Sequence, residues 1–508
     1  MKFFRALSRL FLSNTAGFRQ VTYGILIGVA LSLASPHFVT YLQARKRVQS
    51  RKTVLSRHPV HLKGDKVLDG VTGLIGNTPL VRINSLSNAL GVEILGKAEF
   101  LNPGGSVKDR VALRSTFTPF QSMLLTCSVL IVIEDAERQG LLRPHTGSRI
   151  FEGTVGSTGI SMATIARARG YETTIIMPDD VAEEKVKALQ CLGAEVQRVR
   201  PASIIDKKQF VNMARQAAVD FGCKGIPDRT KKGQIAYEIP TGTPSVVVTT
   251  TSLRVHPTGI AIDSQCEDPM TKPQGFFADQ FENRSNFDAH YEGTGPEIWR
   301  QTNGKIDAFI SGAGTGGTIA GAGQYIKSMN KNVVVALADP EGSGLFNKVK
   351  YGVMYDRKEA EGTKRRHQVD TVVEGIGSNR MTNNIDLALP IIDDAFRITD
   401  AEAVAMSRYL VQNDGLFLGS SSACNLVACV KLVCRTGWKE GQTIITILYL
   451  FKLVMLHHDL RYAIRCDSGN RHYSKFWNDR YLQEANIPID QTIIGQLLNP
   501  SDTDMGRM

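Results

Sequence analysis

The sequence has few cysteines, and no two of its eight form a Cys-x-x-Cys pair. Cys424, Cys429 and Cys434 follow one another at intervals of five residues, which matches no metal-ligand spacing. So low a cysteine density in a chain of 508 residues excludes a small disulfide scaffold and favours buried thiols in a reducing compartment. We therefore predict no metal site.

Acidic residues are absent from the first 64 positions, where eleven Lys and Arg residues precede Asp65. The whole chain carries a net charge of +11, which leaves 49 basic against 49 acidic residues in the rest of it. Nucleic-acid binding depends on an excess of basic groups that neutralise phosphates. A neutral body therefore excludes nucleic acid as an expected partner, and the excess charge belongs to an N-terminal arm.

Charge is also absent between Arg19 and Arg45. About 20 apolar residues span a bilayer, so we predict one membrane anchor at about residues 21–42, within an arm of residues 1–64. The heavier basic cluster follows the apolar segment and favours a location of the rest of the chain in the cytosol. A short span with basic flanks favours the mitochondrial outer membrane. A cleaved mitochondrial presequence and a peripheral or disordered arm remain open.

Strand-like and helix-like segments alternate through the rest of the chain, with no internal repeat. The β-branched run Thr173–Met177 precedes a helical pattern over Glu183–Cys191, and Val333–Leu337 is a second strand-like run. Strands that alternate with helices are typical of parallel sheets. The sequence therefore predicts an α/β fold.

One lysine, Lys108, follows the turn Gly104-Gly105-Ser106-Val107 at the start of a helix-like segment. The positive end of a helix dipole disfavours an ammonium group, which lowers the pKa of the lysine. A neutral lysine amine is the nucleophile that forms Schiff bases. On its own, the motif is equally compatible with an ordinary helix start.

A second glycine-rich loop lies far downstream, between the apolar run 306–310 and a helical pattern that ends at Lys327. Successive N–H groups at a helix N-terminus bind a dianion, and threonine hydroxyls add donors. The spacing is not that of the dinucleotide fingerprint. A reactive lysine and a phosphate loop together predict pyridoxal 5′-phosphate as the cofactor. The loop residues are Gly314, Thr315, Gly316, Gly317 and Thr318.

A third glycine-rich loop, residues 152–160, follows the strand-like run 148–151. Its glycines allow close approach of the backbone to a ligand at the start of the next helix, which favours an anion site.

These loops, with Ile75–Val81 and Gly419–Ser422, occur in the order found in the cysteine synthase and cystathionine β-synthase family. The chain resembles this family over most of residues 65–485, and most of all its fungal, membrane-anchored, cysteine synthase-like members. The resemblance implies a two-lobed, fold type II pyridoxal-phosphate enzyme that is a homodimer. It places Lys108 and the substrate loop in an N-terminal lobe, residues 65–285, and the phosphate loop in a C-terminal lobe, residues 286–508.

The resemblance also assigns roles to single residues. Lys108 carries the cofactor and is the catalytic base, the loop at 314–318 binds the 5′-phosphate, and Ser421 and Ser157 contact the cofactor ring. The family usually has Ser where this chain has Val155, and Asn where it has Ser157. These departures bear on substrate choice and rate. The implied substrate-binding residues are Thr154, Gly156, Thr158, Gly159 and Gln280.

The implied reaction is β-replacement, in which O-acetyl-L-serine and sulfide give L-cysteine and acetate. A serine hydroxyl at the pyridine nitrogen, unlike a carboxylate, does not hold that nitrogen protonated, and this favours α,β-elimination. Three alternatives stay open: cystathionine β-synthase activity, serine/threonine dehydratase activity and a membrane-tethered pseudoenzyme.

Two segments interrupt this pattern, residues 115–131 and residues 449–465. Removal of the first leaves one helix-like segment from Asp109 that ends at Gly140, a suitable helix C-cap. Removal of the second joins a strand-like run directly to a turn. We therefore predict that neither segment belongs to the functional enzyme.

Overall fold

The computed structural model describes residues 67–202 and 206–498 with gaps: 69, 113–132, most of 134–139, 224–272, 357–370 and 449–473 lie outside the description. The chain separates into Met1–Leu68 and Asp69–Met508, and the fold below is that of the second unit. The predicted anchor and both interrupting segments lie outside the described residues. Among the helices within those residues, none has the length and apolar character needed to cross a membrane.

Two sheets form the framework. Every pair of neighbouring strands is parallel except β1 and β2, which are antiparallel. The predicted α/β fold with parallel sheets is therefore confirmed. The large sheet has the order β1 (Leu80–Arg82), β2 (Glu93–Ala98), β10 (Thr443–Leu448), β7 (Ala308–Gly312), β8 (Val334–Pro340) and β9 (Asp394–Ile398). The small sheet has the order β5 (Glu195–Val199), β4 (Glu172–Pro178), β3 (Arg149–Gly153) and β6 (Gly275–Phe277).

Helices connect most of these strands, and one π-helical turn, His290–Thr294, lies between α6 and α7. The α-helices are α1 (Asn84–Leu90), α2 (Lys108–Ala112), α3 (Ser157–Ala168), α4 (Glu183–Cys191), α5 (Phe210–Cys223), α6 (Ser285–Ala289), α7 (Gly295–Gln301), α8 (Gly317–Met329), α9 (Leu345–Tyr351), α10 (Asn383–Ala388), α11 (Asp400–Asp414), α12 (Ser420–Thr436), α13 (Asp479–Glu484) and α14 (Thr492–Leu498). The predicted helix over Glu183–Cys191 is α4, and the strand-like run Thr173–Met177 lies within β4.

The hydrophobic core covers both faces of the large sheet. Successive residues of a strand point to opposite faces, so Phe309 packs in a cluster with Ile319 of α8, while Ile310 packs in a cluster with Leu426 of α12. All four side chains are fully buried. Strands covered on both faces are apolar throughout, which explains the continuous apolar runs in the sequence.

Strands do not divide between the sheets at a single point in the chain. β2 pairs with β10, from the far end of the chain, so residues 80–98 belong to the large sheet. The predicted lobe boundary at residue 285 stays a prediction, but the parallel pairing of β10 with both β2 and β7 brings the loops after β2 and β7 to the same edge of the large sheet. The loops that leave the carboxyl ends of β2, β3 and β7 carry the three sequence motifs. Ligands of parallel α/β sheets bind at these ends of the strands.

Cys191, Cys424, Cys429 and Cys434 are free thiols. Cys424 and Cys429 are buried in α12, as predicted, and burial raises the pKa of both thiols. For Cys191 the prediction of a buried thiol is wrong, because the last turn of α4 leaves this side chain exposed.

Candidate active site

A cavity of about 400 Å³ lies where these loops meet. It gathers most of the residues that the sequence singled out, from both sheets. Its lining includes Lys108, Thr154, Ser157, Thr158, Gln280, Gly314, Thr315, Gly316, Thr318 and Ser421. Gly156, Gly159 and Gly317 do not line the cavity, although each belongs to a loop or helix start that does. Their contribution is close packing behind the lining.

Lys108 is the first residue of α2 and faces this cavity. Its Nζ lies 3.5 Å from the Thr315 hydroxyl, and its backbone N–H donates to Ser106 Oγ at 3.2 Å. Burial lowers the pKa of Lys108 from 10.5 to about 8. The predicted direction is confirmed, and burial of the amine accounts for it.

A buried ionic network supports the Lys108 loop, and sequence reasoning missed it. Arg110 Nη2 lies 2.8 Å from Glu297 Oε2, and Lys97 Nζ lies 2.8 Å from the same oxygen. Glu297 also accepts the N–H of Asn77 at 2.8 Å. The opening motif Ile75–Val81 is therefore bound to the residues beside Lys108. No local pattern in the sequence indicates that residue 297 is the partner of residues 97 and 110.

The loop after β7 fits a phosphate group. Gly316 has φ 92°, a conformation that favours glycine, and is the N-cap of the 13-residue helix α8. A Cβ at Gly314 would lie 2.4 Å from the Gly375 carbonyl oxygen, and one at Gly317 would lie 2.1 Å from Asn286 Oδ1. Only a side-chain-free backbone fits here, at the positive end of a helix. This arrangement binds anions, so the residues present fit the 5′-phosphate.

Two residues that the sequence argument missed orient the threonines of this loop. Asn286 Nδ2 donates to Thr315 Oγ1 at 2.8 Å, and His290 Nε2 lies 3.1 Å from Thr318 Oγ1. Burial, together with the positive charges of Lys108 and Arg110, lowers the pKa of His290 well below 6.5. The imidazole is therefore neutral. It orients the Thr318 hydroxyl without adding a charge.

The loop after β3 and the first turn of α3 carry four of the predicted substrate-binding residues, and the fifth, Gln280, follows β6. Gly156 has φ 132°, and a Cβ there would lie 2.6 Å from Lys185 Cδ. The Thr158 hydroxyl donates to Gln280 Oε1, and Gln280 Nε2 donates to the Gly153 carbonyl oxygen at 3.3 Å. Gln280 thus fixes both ends of the loop. Val155, where the family usually has serine, is exposed and lines the cavity.

A buried carboxyl group lies directly below this loop. Burial and the nearby Asp279 carboxylate raise the pKa of Glu152 well above 4.5. This shift favours the protonated, uncharged form of Glu152 beside the loop. Neither its burial nor its neighbour Asp279 can be recognised from the local sequence.

Ser421 is buried in the first turn of α12 and lines the cavity. The preceding residue, Ser420, accepts the backbone N–H of Glu374 at 3.1 Å. Glu374 directly precedes the segment Gly375-Ile376-Gly377. The Gly377 N–H donates to the Ala313 carbonyl oxygen at 2.8 Å. The segment is therefore bound both to the start of α12 and to the phosphate-binding loop.

A model of the family described as pyridoxal-phosphate dependent enzyme matches residues 71–449. The chain belongs to this family. The predicted cofactor class is thereby confirmed.

Two named fungal proteins and one solved structure are similar to this chain over most of its length. Cysteine synthase 2 of Schizosaccharomyces pombe is 44% identical over 91% of this chain and 94% of its own length. A Saccharomyces cerevisiae protein named "Putative mitochondrial cysteine synthase" is 42% identical over 84% of this chain and 88% of its own length. The crystal structure of O-ureido-L-serine synthase has a TM-score of 0.55 at 24% identity, and the match covers 87% of this chain and 100% of that one. This last likeness concerns the fold alone.

Proposed function

We propose that the protein is a cysteine synthase, which converts O-acetyl-L-serine and sulfide to L-cysteine and acetate. One observation carries the proposal: a single cavity brings the Lys108 amine within 3.5 Å of Thr315 in the phosphate-binding loop and also contains the anion-binding loop at 154–158. The similarity to proteins named cysteine synthase supports the choice of reaction.

The residues of the cavity divide between the cofactor and the substrate. Lys108 would hold pyridoxal phosphate covalently, the loop at 314–318 would bind its phosphate, and Ser157 and Ser421 would contact its ring. Thr154, Thr158 and Gln280, which line the cavity, would hold the α-carboxylate of the amino acid, and Gly156 and Gly159 would allow the loop backbone to approach it. The bound cofactor supplies an electron sink that weakens the bonds at the substrate α-carbon.

Lys108 is the base of the proposed reaction. Because its pKa is about 8, a useful fraction of the amine is neutral near physiological pH. Once the amino group of the substrate has taken its place on the cofactor, the freed Lys108 amine removes the α-proton, acetate leaves from the β-carbon, and hydrosulfide adds there. Lys108 then returns the proton to the α-carbon, so the lysine ends in its starting state. Thr158 and Gln280 hold the carboxylate and thereby orient the α-proton towards Lys108.

Steady-state assays with defined substrate pairs test the reaction. The purified protein, supplied with pyridoxal phosphate, should form cysteine from acetylserine and sulfide. Formation of cystathionine from serine and homocysteine, or of pyruvate from serine alone, with no cysteine from the first pair, would contradict the proposal. Absence of product in all three assays would favour the membrane-tethered pseudoenzyme.

We further propose that residues 21–42 anchor the protein in the mitochondrial outer membrane with the catalytic body in the cytosol, and that the protein is a homodimer. The uncharged span, its basic flanks and the name of the yeast relative support the first part. A protein that starts at Asp65 should remain in the supernatant, while the full chain pellets with membranes. If the shortened protein pelleted at high salt, the anchor would not be the only membrane contact. Light scattering of the shortened protein tests the dimer.

A further inference from the structure

An ion pair at the cavity joins the helix α4 to the segment that precedes Gly375. Lys185 Nζ bonds to Glu374 Oε2, with side-chain exposures of 2% and 18%. Lys185 lies on α4, which follows β4 of the small sheet, whereas Glu374 lies just before Gly375, beside the large sheet. Both residues line the cavity.

The stem of Lys185 packs directly behind the substrate loop. A Cβ on Gly156 would lie 2.6 Å from Lys185 Cδ and 3.3 Å from its Cγ, so the methylenes occupy the space that a side chain at 156 would fill. Gly156 has φ 132° and precedes α3. Because the loop has this unusual backbone geometry, it depends on packing from behind.

The other partner, Glu374, is bound to the cofactor side of the cavity. Its backbone N–H donates to Ser420 Oγ at 3.1 Å, next to Ser421. The Gly375 carbonyl oxygen approaches Gly314 of the phosphate-binding loop so closely that a Cβ there would lie 2.4 Å away. The Lys185–Glu374 pair therefore connects the substrate loop to the loop that we assign to the cofactor phosphate.

Two other polar contacts hold the same end of α4. Ser474 N–H donates to Glu184 Oε1 at 3.0 Å, and Lys475 Nζ donates to the Asp180 carbonyl oxygen at 2.8 Å. Both are exposed. Exposed polar pairs contribute little, whereas removal of one partner from a buried pair leaves an uncompensated charge. The Lys185–Glu374 pair is thus the contact in this group whose loss has the larger effect.

We propose that Lys185 is a positioning residue: its stem and its ion pair with Glu374 hold the loop at residues 154–159 in the geometry that binds the substrate carboxylate. The substrate assignment rests on the proposed function, but the positioning of the loop does not. Lys185 acts through the loop and does not touch the reacting atoms. Its loss should weaken binding of the amino acid more than it slows the chemical steps.

Hydrogen exchange of the full-length holoprotein tests the positioning directly. The variants are Lys185→Met, which removes the charge and keeps most of the stem, Glu374→Gln, which keeps the shape of the partner, and the double variant. Each single variant should accelerate exchange of the amides at 154–159 by about tenfold, within the range of couplings found for contacting residues. The double variant should be no faster than either single variant, because each single change already breaks the same contact. Lys187→Met, at an exposed position of α4, is the matched control and should exchange as the native protein does.

Kinetics provide the second readout. Lys185→Met should raise KM for the amino acid by about tenfold with a smaller change in kcat, and Lys185→Arg should restore most of the native KM. Unchanged exchange in both single variants, or a double variant whose effect is the product of the two, would overturn the proposal. If a Lys185 variant failed to fold, the isosteric Glu374→Gln variant would decide: unchanged amide exchange at residues 154–159 in that variant would overturn the proposal. Altered exchange in a protein that forms no cysteine would contradict the proposed function and leave the positioning role supported.

Discussion

Arg110 Nε lies 2.6 Å from Glu99 Oε2, and both side chains are buried beneath the loop that leads to Lys108. Arg110 also contacts Glu297, so one guanidinium group balances two carboxylates from different parts of the chain. Although burial favours the protonated acid, the adjacent Arg110 lowers the pKa of Glu297. The position of Lys108 therefore depends on an ionic network that does not itself line the cavity.

Replacement of Arg110 by Met should destabilise the fold strongly. The substitution leaves Glu99 and Glu297 buried without their main counter-charge, and breaking a buried pair costs about 3–5 kcal/mol. The free energy of unfolding, measured in urea, should fall by that amount. Arg82→Met is the matched control, because the Arg82–Glu93 pair is partly exposed at 33% and 41% and such pairs contribute only about 0–1 kcal/mol. Equal losses in the two variants would contradict the role of the network.

Covalent attachment of the cofactor should depend on pH through Lys108. The neutral amine is the nucleophile, so the attachment rate in cofactor-free protein should rise with pH through about 8 and level off above it. If Lys108 had the ordinary lysine pKa of 10.5, the attachment rate would still increase well above pH 9. The absorbance change after rapid mixing with pyridoxal phosphate measures this rate.

The same reaction identifies the lysine. Borohydride reduction followed by peptide mapping should place the label on Lys108. Lys108→Ala should retain the fold and bind pyridoxal phosphate non-covalently, because the phosphate-binding loop is intact. A label on any other lysine would exclude Lys108 from the covalent role.

Sequence alone identified the parts of the site that are continuous in the chain. Lys108 and the two glycine-rich loops could be found because a turn followed by a helix leaves a local pattern of glycine and hydroxyl residues. The strand β4 and the helix α4 could also be predicted, since apolar runs and helical periodicity are local properties. The sequence argument attributed the lowered pKa of Lys108 to a helix dipole, because burial cannot be judged from a turn motif.

There is a physical reason why the supporting residues could not be predicted from the sequence. Asn286 and His290 act on Thr315 and Thr318 only because α6 and the π-helical turn pack against α8. Lys185 reaches Glu374 only after both sheets have formed. Such contacts depend on tertiary packing, and neither residue type nor local spacing distinguishes these side chains from ordinary surface charges and amides.

The substrate loop offers a test of rate. Val155→Ser with Ser157→Asn restores the residues usual in the family, and position 157 lines the cavity at the start of α3. One added polar contact contributes about 0.5–1.5 kcal/mol, which amounts to at most about a tenfold rise in rate if the contact acts in the transition state. Initial rates with acetylserine and sulfide measure the effect. An unchanged or lower rate would indicate that the native loop serves a different substrate.

Removal of residues 115–131 and 449–465 should give a protein at least as stable and active as the full chain. Both segments lie outside the described residues, but their borders are informative. Gly140 has φ 72°, and its N–H donates to the Glu137 carbonyl oxygen, as expected at a helix C-terminus. On the other side, α2 begins at Lys108 and is described as far as Ala112. The first deletion would bring α2 and the Gly140 end into one short segment, and a continuous helix holds its first turn well. The second deletion would leave β10 intact, since β10 comprises Thr443–Leu448.

The double deletion and the full chain should be compared by yield, melting temperature and cofactor content. If the full chain retains more cofactor and melts higher, the two segments are genuine parts of the fold.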